Sequence, residues 1–104
     1  MLLQERTSDM LFSELIHTLA SELYTFCDTP YKKTTVPRSQ LSQLIGVLAV
    51  KQNLAIYHIC DEIGISRRTV STIQHSDEGY YYSIQKRTLE KIIDYAHQVA
   101  DHIL

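Results

Sequence analysis

The stretch of sequence around Gly64 constrains the fold most, because one glycine divides two short segments with helical periodicity. Apolar residues recur at three- and four-residue steps on both sides of it. Glycine adopts the left-handed conformation that ends a helix at little steric cost. We therefore predict two short helices joined by a three-residue turn within residues 54–75. The side chains expected in the core beneath this unit are Ile59, Cys60, Ile63, Ile65, Val70 and Ile73.

The second of these helices, predicted over residues 66–75, has a polar outer side. Ser66 is a suitable N-cap. Arg67 and Arg68 follow at once, and cations at a helix N-terminus oppose the helix macrodipole. A solvated helix end is the alternative, but this unfavourable placement favours a contact with DNA. An arginine that binds guanine through two hydrogen bonds favours it over the other bases by about 1–3 kcal/mol.

The residue order Gly-Ile-Ser-x-x-Thr-Val-Ser-x-Ile, from Gly64 to Ile73, resembles the helix-turn-helix of the phage-repressor and Cro-like (XRE-type) family. Thr88, Leu89 and Ile92 resemble a later helix of that family. The likeness covers roughly residues 39–100. It implies a homodimer on a partly palindromic operator, with the second helix of the motif in the major groove. Carried over by position, the base or phosphate contacts are Arg67, Arg68, Ser71 and Thr72.

Three positions depart from the family pattern. Ile56 stands where members often have a glutamine that touches a phosphate, and Cys60 stands where alanine is usual. Gly79 lies six residues beyond Ile73, which makes the loop after the second helix longer than usual. These departures concern the contacts with the DNA backbone and the register of the last helices rather than the motif itself.

The rest of the chain predicts further helices. An N-terminal amphipathic helix is expected over about 9–27, and a loop with two prolines and three threonines over 28–38. Another helix starts after an N-cap at Ser39, and the last begins near Ser83 or Gln85. The apolar positions expected to be buried are Leu11, Leu15, Leu19, Leu23 and Phe26 in the first helix, Leu41, Leu44, Ile45, Leu48 and Ala49 in the next, and Leu89, Ile92, Ile93, Ala96, Val99, Ala100 and Ile103 in the last.

The predicted fold class is all-α: a lambda-repressor-like five-helix domain that contains a helix-turn-helix, with an additional N-terminal helix. We place a boundary between residues 1–38 and residues 39–104. The first part packs on the domain or mediates dimerisation, and the sequence leaves both alternatives open. The second part is the predicted DNA-binding domain.

Charge is unevenly distributed along the chain, although the net charge is only −2. Residues 31–91 carry nine Lys and Arg against five Asp and Glu, a net charge of +4. Residues 1–30 carry one arginine against five acids, a net charge of −4. One basic surface facing phosphates fits this asymmetry, and ordinary charge segregation fits it equally well.

Other polar residues have two interpretations each. Of Tyr80, Tyr81 and Tyr82, one is expected to be buried and one or two to lie near the DNA backbone. Lys86, Arg87 and Lys91 either contact phosphates or lie on a solvated helix face. Lys32, Lys33 and Arg38 belong either to an arm that binds DNA or to a solvated loop. The candidate DNA-binding residues are Ser66, Arg67, Arg68, Thr69, Ser71, Thr72, His75, Tyr81, Lys86 and Arg87.

Several classes of function are not expected. The histidines and the two cysteines lack the spacing of zinc ligands, and no catalytic motif is visible, so we predict no metal, no cofactor and no enzyme. The chain has two cysteines without a CxxC spacing, no secretory signal and no apolar stretch of membrane-spanning length. We therefore predict a cytoplasmic protein without a membrane partner or an evident small-molecule substrate.

The predicted function is a sequence-specific, repressor-like transcriptional regulator of prokaryotic or phage origin, a homodimer that binds double-stranded DNA. The alternative is a protein-interaction module on the same fold, such as an antirepressor or an antitoxin component.

Overall fold

The computed structural model describes residues 2–75 and 79–103, and it gives the side chains of residues 8–74 and 79–103. Five α-helices and two β-strands make up this described part. A short 3₁₀ turn follows the first helix. The elements in chain order are α1 (Leu2–Tyr24), the 3₁₀ turn (Thr25–Cys27), β1 (Lys33–Pro37), α2 (Arg38–Gln52), α3 (Ile56–Ile63), α4 (Arg67–His75), β2 (Tyr81–Gln85) and α5 (Lys86–Ile103).

The fold is mostly helical, but the prediction of an all-α fold was wrong in one respect. Strands β1 and β2 pair antiparallel, from Lys33 opposite Gln85 to Pro37 opposite Tyr81. Both strands are rich in β-branched and aromatic residues, which fit a half-buried pleated surface. The segment predicted as a loop over 28–38 therefore contributes one strand of a two-stranded ribbon.

The ribbon also sets where two helices begin. Each strand continues directly into a helix, so α2 starts at Arg38 and α5 at Lys86. The predicted N-cap at Ser39 was wrong, because Pro37 in an extended conformation occupies that place. Of the two starts predicted for the last helix, the one near Ser83 was wrong, because ladder hydrogen bonds hold that residue in β2, and the one near Gln85 is confirmed to within one residue.

One hydrophobic core includes residues from all five helices and from both strands. The burial predicted for α2 is confirmed, and so is that for α5, where only Ile103 is half-buried. Side chains from both sides of the predicted boundary at 38/39 contribute to this core, and the boundary itself stays a prediction. No helix among the described residues has the length and apolar character needed to cross a membrane.

Helix α1 buries only part of the predicted stripe. Leu19 and Leu23 are buried as predicted, and Phe26 is half-buried against the core. Leu11 and Leu15 were also expected in the core, but they are 61% and 39% exposed, and Ile16 and Ala20 are fully buried in their place. Successive leucines of the stripe lie four residues apart, so each is turned about 40° further around the helix, and the first two leave the side that packs against α5.

Candidate nucleic-acid interface

The turn between α3 and α4 consists of Gly64, Ile65 and Ser66. Gly64 has a φ of 83°, the left-handed conformation predicted for it, and its N–H donates to the carbonyl of Cys60 at 2.8 Å. The N–H of Ile65 donates to the same carbonyl at 3.1 Å, and the Ile65 side chain packs against the core. The turn is therefore fixed both by backbone hydrogen bonds and by an apolar anchor.

The start of α4 is stabilised by a side-chain cap. The hydroxyl of Ser66 accepts a hydrogen bond from the N–H of Thr69 at 3.1 Å, and the two hydroxyl oxygens lie 2.8 Å apart. This satisfies one of the N–H groups that a helix start leaves without a partner. Both residues were predicted to be DNA contacts, and the contacts observed here are local and structural.

Helix α4 separates a buried side from an exposed one, as predicted. Val70 and Ile73 are 2% and 1% exposed, and they pack into the core. The opposite side bears four polar residues, and the helix contains no Asp or Glu. The polar residues on the exposed side are Arg67, Arg68, Ser71 and Thr72.

Arg67 is held against α3. Its Nη2 lies 3.2 Å from Oδ2 of Asp61, and its guanidinium carbon lies 5.0 Å from the centre of the Tyr57 ring. The two charged side chains are 65% and 56% exposed, and exposed ion pairs of this kind contribute about 0–1 kcal/mol. A ligand that offers a better acceptor can therefore draw Arg67 away at small cost.

Arg68 extends into solvent, and its guanidinium forms no ion pair or hydrogen bond with the part of the chain that the structure describes. The hydroxyl of Thr72 donates to the carbonyl of Arg68 at 2.9 Å, so its oxygen can still accept. Ser71 is exposed. His75 is also a predicted contact on this helix, and its side chain is not among those that the structure describes.

The three consecutive tyrosines divide into one half-buried and two exposed side chains, and the expected position of the exposed ones near a DNA backbone stays a prediction. Tyr82 is half-buried against the core, with the guanidinium carbon of Arg38 5.8 Å from its ring centre. Tyr80 and Tyr81 are 62% and 59% exposed, with their rings edge to face at 4.7 Å between centres. Arg38 also donates to the carbonyl of Gly79 at 3.3 Å, so it joins the ribbon to α2 rather than belonging to a free arm.

Lys86 and Arg87, the last two predicted contacts, begin α5. The ammonium of Lys86 donates to the carbonyl of Thr29 at 3.1 Å, and the backbone N–H of Lys86 donates to the carbonyl of Lys32 at 2.8 Å. Lys86 therefore holds the segment before β1 in place, whereas Arg87 is exposed.

A polar groove joins the ribbon to α4. It has a volume of about 270 Å³ and is lined by Thr69 of α4, by Lys33 of β1 and by residues of β2 and early α5. The structure thus brings the start of α4 close to β1, which sequence reasoning treated as part of a loop. The signal that could have revealed this was the strand-like composition of residues 34–36 and 81–84.

Three helices meet at the hydroxyl of Tyr95, and their contacts fix α3 on the body of the protein. Tyr95 in α5 donates to the carboxylate of Glu62 in α3, and Nε2 of Gln52 in α2 donates to the Tyr95 oxygen at 2.9 Å. Burial and the hydrogen bond to Glu62 raise the pKa of Tyr95 to about 12. The hydroxyl therefore stays protonated at neutral pH and can keep donating to Glu62.

The two cysteines are free and buried. Burial raises the pKa of the Cys60 thiol, which donates to the carbonyl of Ile56 at 3.2 Å. Burial also raises the pKa of Cys27, as do the carboxylates of Glu90 and Asp94. Protonated, buried thiols are inert packing groups. Within residues 2–75 and 79–103 the structure places no cluster of three or more His, Cys, Asp or Glu in a way that would hold a metal ion.

Comparison of the chain with protein-family models, with curated proteins and with solved structures gives no match.

Proposed function

We propose that this protein is a sequence-specific DNA-binding transcriptional regulator that reads the major groove with α4. The observation that carries the proposal is the exposed side of α4, where Arg67 and Arg68 stand beside two hydroxyl side chains on a helix without acidic residues. The buried residues Val70 and Ile73 and the turn at Gly64 hold this side outward.

The dimensions of α4 support the proposal. An α-helix with its side chains is about 10–12 Å in diameter, which fits the roughly 12 Å width of the major groove of B-DNA, and the nine residues of α4 make about two and a half turns. Arg68 is the side chain best suited to reach a base, because no partner among the described residues restrains its guanidinium. Arg67 would exchange Asp61 for a phosphate or a guanine edge.

The motif from Gly64 to Ile73 supports the further proposal that the protein is a repressor-like homodimer. A reducing, cytoplasmic environment is proposed because both cysteines are free thiols. Proteins with this kind of motif bind two half-sites one helical turn apart, about 34–36 Å. A second copy would then repeat the exposed side of α4 at that spacing.

Selection of duplexes from a random pool tests the proposal directly. The pool should yield a preferred sequence with two related halves, and affinity for it should fall steeply as salt rises, with a log–log slope of roughly −0.9 per phosphate contacted. No binding at low salt, or a slope near zero, would refute DNA binding.

Substitution of Arg68 then tests the role of α4. Arg68→Ala should weaken binding to the selected sequence by about 1–3 kcal/mol, which is roughly 5- to 150-fold, and should relax the preference at one base position. Lys91→Ala is the matched control, because it removes one exposed cation from α5. Equal losses for the two variants would contradict base reading by α4.

The alternative, a protein-interaction module such as an antirepressor or antitoxin component, is favoured by one observation. Met10, Leu11 and Leu15 are 53%, 61% and 39% exposed on one part of α1. Clustered exposed apolar side chains are typical of protein contacts. The same salt series separates the two functions, because a protein-binding module shows no phosphate-driven affinity for duplex DNA.

A further inference from the structure

A basic cavity lies between the segment before β1 and the first turn of α5. Its volume is about 540 Å³. Four cations line it, together with Tyr31 and one carboxylate, that of Glu90. We call it the ribbon cavity, because β1 and β2 lie beside it. The cations that line the ribbon cavity are Lys32, Lys33, Lys86 and Arg87.

The charges in the ribbon cavity are poorly balanced from within the protein. Lys86 donates to the Thr29 carbonyl, but Lys32, Lys33 and Arg87 form no ion pair with any residue that the structure describes. An anionic ligand would relieve the repulsion among these four cations, which have one carboxylate beside them. Phosphate oxygens suit lysine and arginine as partners, because these side chains present several charged donors.

The ribbon cavity continues toward the proposed reading helix. Lys33 and Gln85 line both this cavity and the polar groove that reaches Thr69 in the first turn of α4. In β1 and β2, Lys33 and Gln85 stand opposite each other, and both are exposed. One path of polar surface therefore runs from the start of α4, across the end of the ribbon, to the four cations.

We infer that the ribbon cavity binds a backbone phosphate of the same DNA duplex that α4 reads. The inference rests on the proposed function and adds a second point of attachment, made by the β-ribbon. A duplex is the favoured source of the phosphate, because Lys33 and Arg87 are exposed and the site is continuous with α4. A phosphate held here positions the duplex without reading its sequence.

The test is a salt series on a random-sequence duplex, measured by fluorescence anisotropy with the full chain. Lys33→Gln should reduce the steepness of the log–log slope by about 0.9, the value of one phosphate contact. Arg87→Gln on α5 should do the same, and it keeps the inference testable if the strand substitution disturbs β1. Lys51→Gln in α2 is the control and should leave the slope unchanged, because the Lys51 ammonium is paired with Asp9 and lies outside the ribbon cavity.

The outcomes separate this inference from the proposed function. If the parent protein binds with a steep slope and both variants keep it, the ribbon cavity holds no phosphate, while DNA binding by α4 stands. If the parent protein does not bind duplex at all, both proposals are refuted. A separate titration with adenosine monophosphate tests whether the ribbon cavity binds a free nucleotide instead of a DNA phosphate. Saturable binding that Lys33→Gln abolishes, without a change in the DNA slope, would overturn the inference in favour of a free nucleotide.

Discussion

Helices α1 and α5 form one region of the molecule, and α3 with α4 forms another. Helix α5 buries six apolar side chains along its length, whereas α3 buries two, Ile59 and Cys60. Helix α4 likewise buries only Val70 and Ile73 among its described side chains. The first region therefore holds a larger share of the apolar stabilisation, and the second consists mostly of exposed surface.

Polar contacts differ between the two regions as well. Between α1 and α5, the hydroxyl of Ser13 donates to the carbonyl of Ala100 at 3.0 Å. The Nδ1 atoms of His17 and His97 lie 2.7 Å apart, so one ring donates and the other accepts. Around α4, the exposed ion pair between Arg67 and Asp61 is the kind that a ligand can replace at small cost.

The comparison teaches that stability and the proposed recognition are located in different parts of this small protein. The long helices can anchor the fold without contributing to the candidate interface. The short helices depend on turn and cap geometry, which leaves the side chains on the outer side of α4 available. Substitutions should therefore separate the two properties.

The largest expected effect is on the core of the first region. Ile92→Ala in α5 should lower the free energy of unfolding by about 2–5 kcal/mol, because Ile92 is fully buried and leaves a cavity. Ile73→Ala in α4 is the matched substitution, and it should cost less because a short, half-exposed helix can relax toward the gap. Denaturant unfolding measures both free energies, and equal losses would show that the two regions contribute alike to stability.

An intermediate effect is expected at the turn of the second region. Gly64→Ala should destabilise by about 1–2 kcal/mol, because a Cβ is disfavoured at a φ of 83°. Gly46→Ala is the control: Gly46 lies inside α2, and apart from its two chain neighbours and the adjacent turns of the helix backbone no heavy atom lies within 4 Å of an added Cβ. It should stabilise by about 0.5–1 kcal/mol. Thermal unfolding of the two variants should move in opposite directions, and a shift in the same direction would contradict the role given to the turn.

The smallest expected effect concerns the contact that joins the two regions. Tyr95→Phe removes the hydrogen bonds to Glu62 and Gln52 and should cost about 1 kcal/mol at neutral pH. The pKa of Tyr95 is raised from its ordinary value of 10.0 to about 12. Its stabilising contribution is therefore fully present below pH 10 and is lost as the pH rises through 12.

Urea unfolding between pH 9 and pH 12 checks this last prediction. The parent protein should lose stability across the window more steeply than Tyr95→Phe does. Tyr24→Phe serves as the control, because Tyr24 is 61% exposed. The same pH profile for the parent protein and Tyr95→Phe would show that this tyrosine does not link the two regions.

The local features of the helix-turn-helix segment were predictable, because they depend on neighbours in sequence. Gly64, the cap at Ser66 and the alternation between Val70 and Arg68 all act within one or two helical turns. The same holds for α5, where a regular apolar stripe points to one buried side whatever packs against it. The outward position of the candidate residues on α4 follows from these short-range patterns.

Other features depend on contacts between distant parts of the chain. Strand pairing joins Lys33 to Gln85, more than fifty residues apart, and no local pattern specifies that register. The exposure of Leu11 and Leu15 depends on which side of α1 meets α5. The ribbon cavity depends on both, because its cations come from two separate segments.

Short-range sequence patterns specify the helix-turn-helix segment around Gly64 and the polar outer side of its second helix, because glycine conformation, capping and helical periodicity are local. Long-range packing places a β-ribbon beside this segment, brings Arg67 against Asp61 and Tyr57, and lines one cavity with Lys33 and Arg87. These arrangements arise when distant segments pack on a shared core, where burial rather than local preference selects the partners.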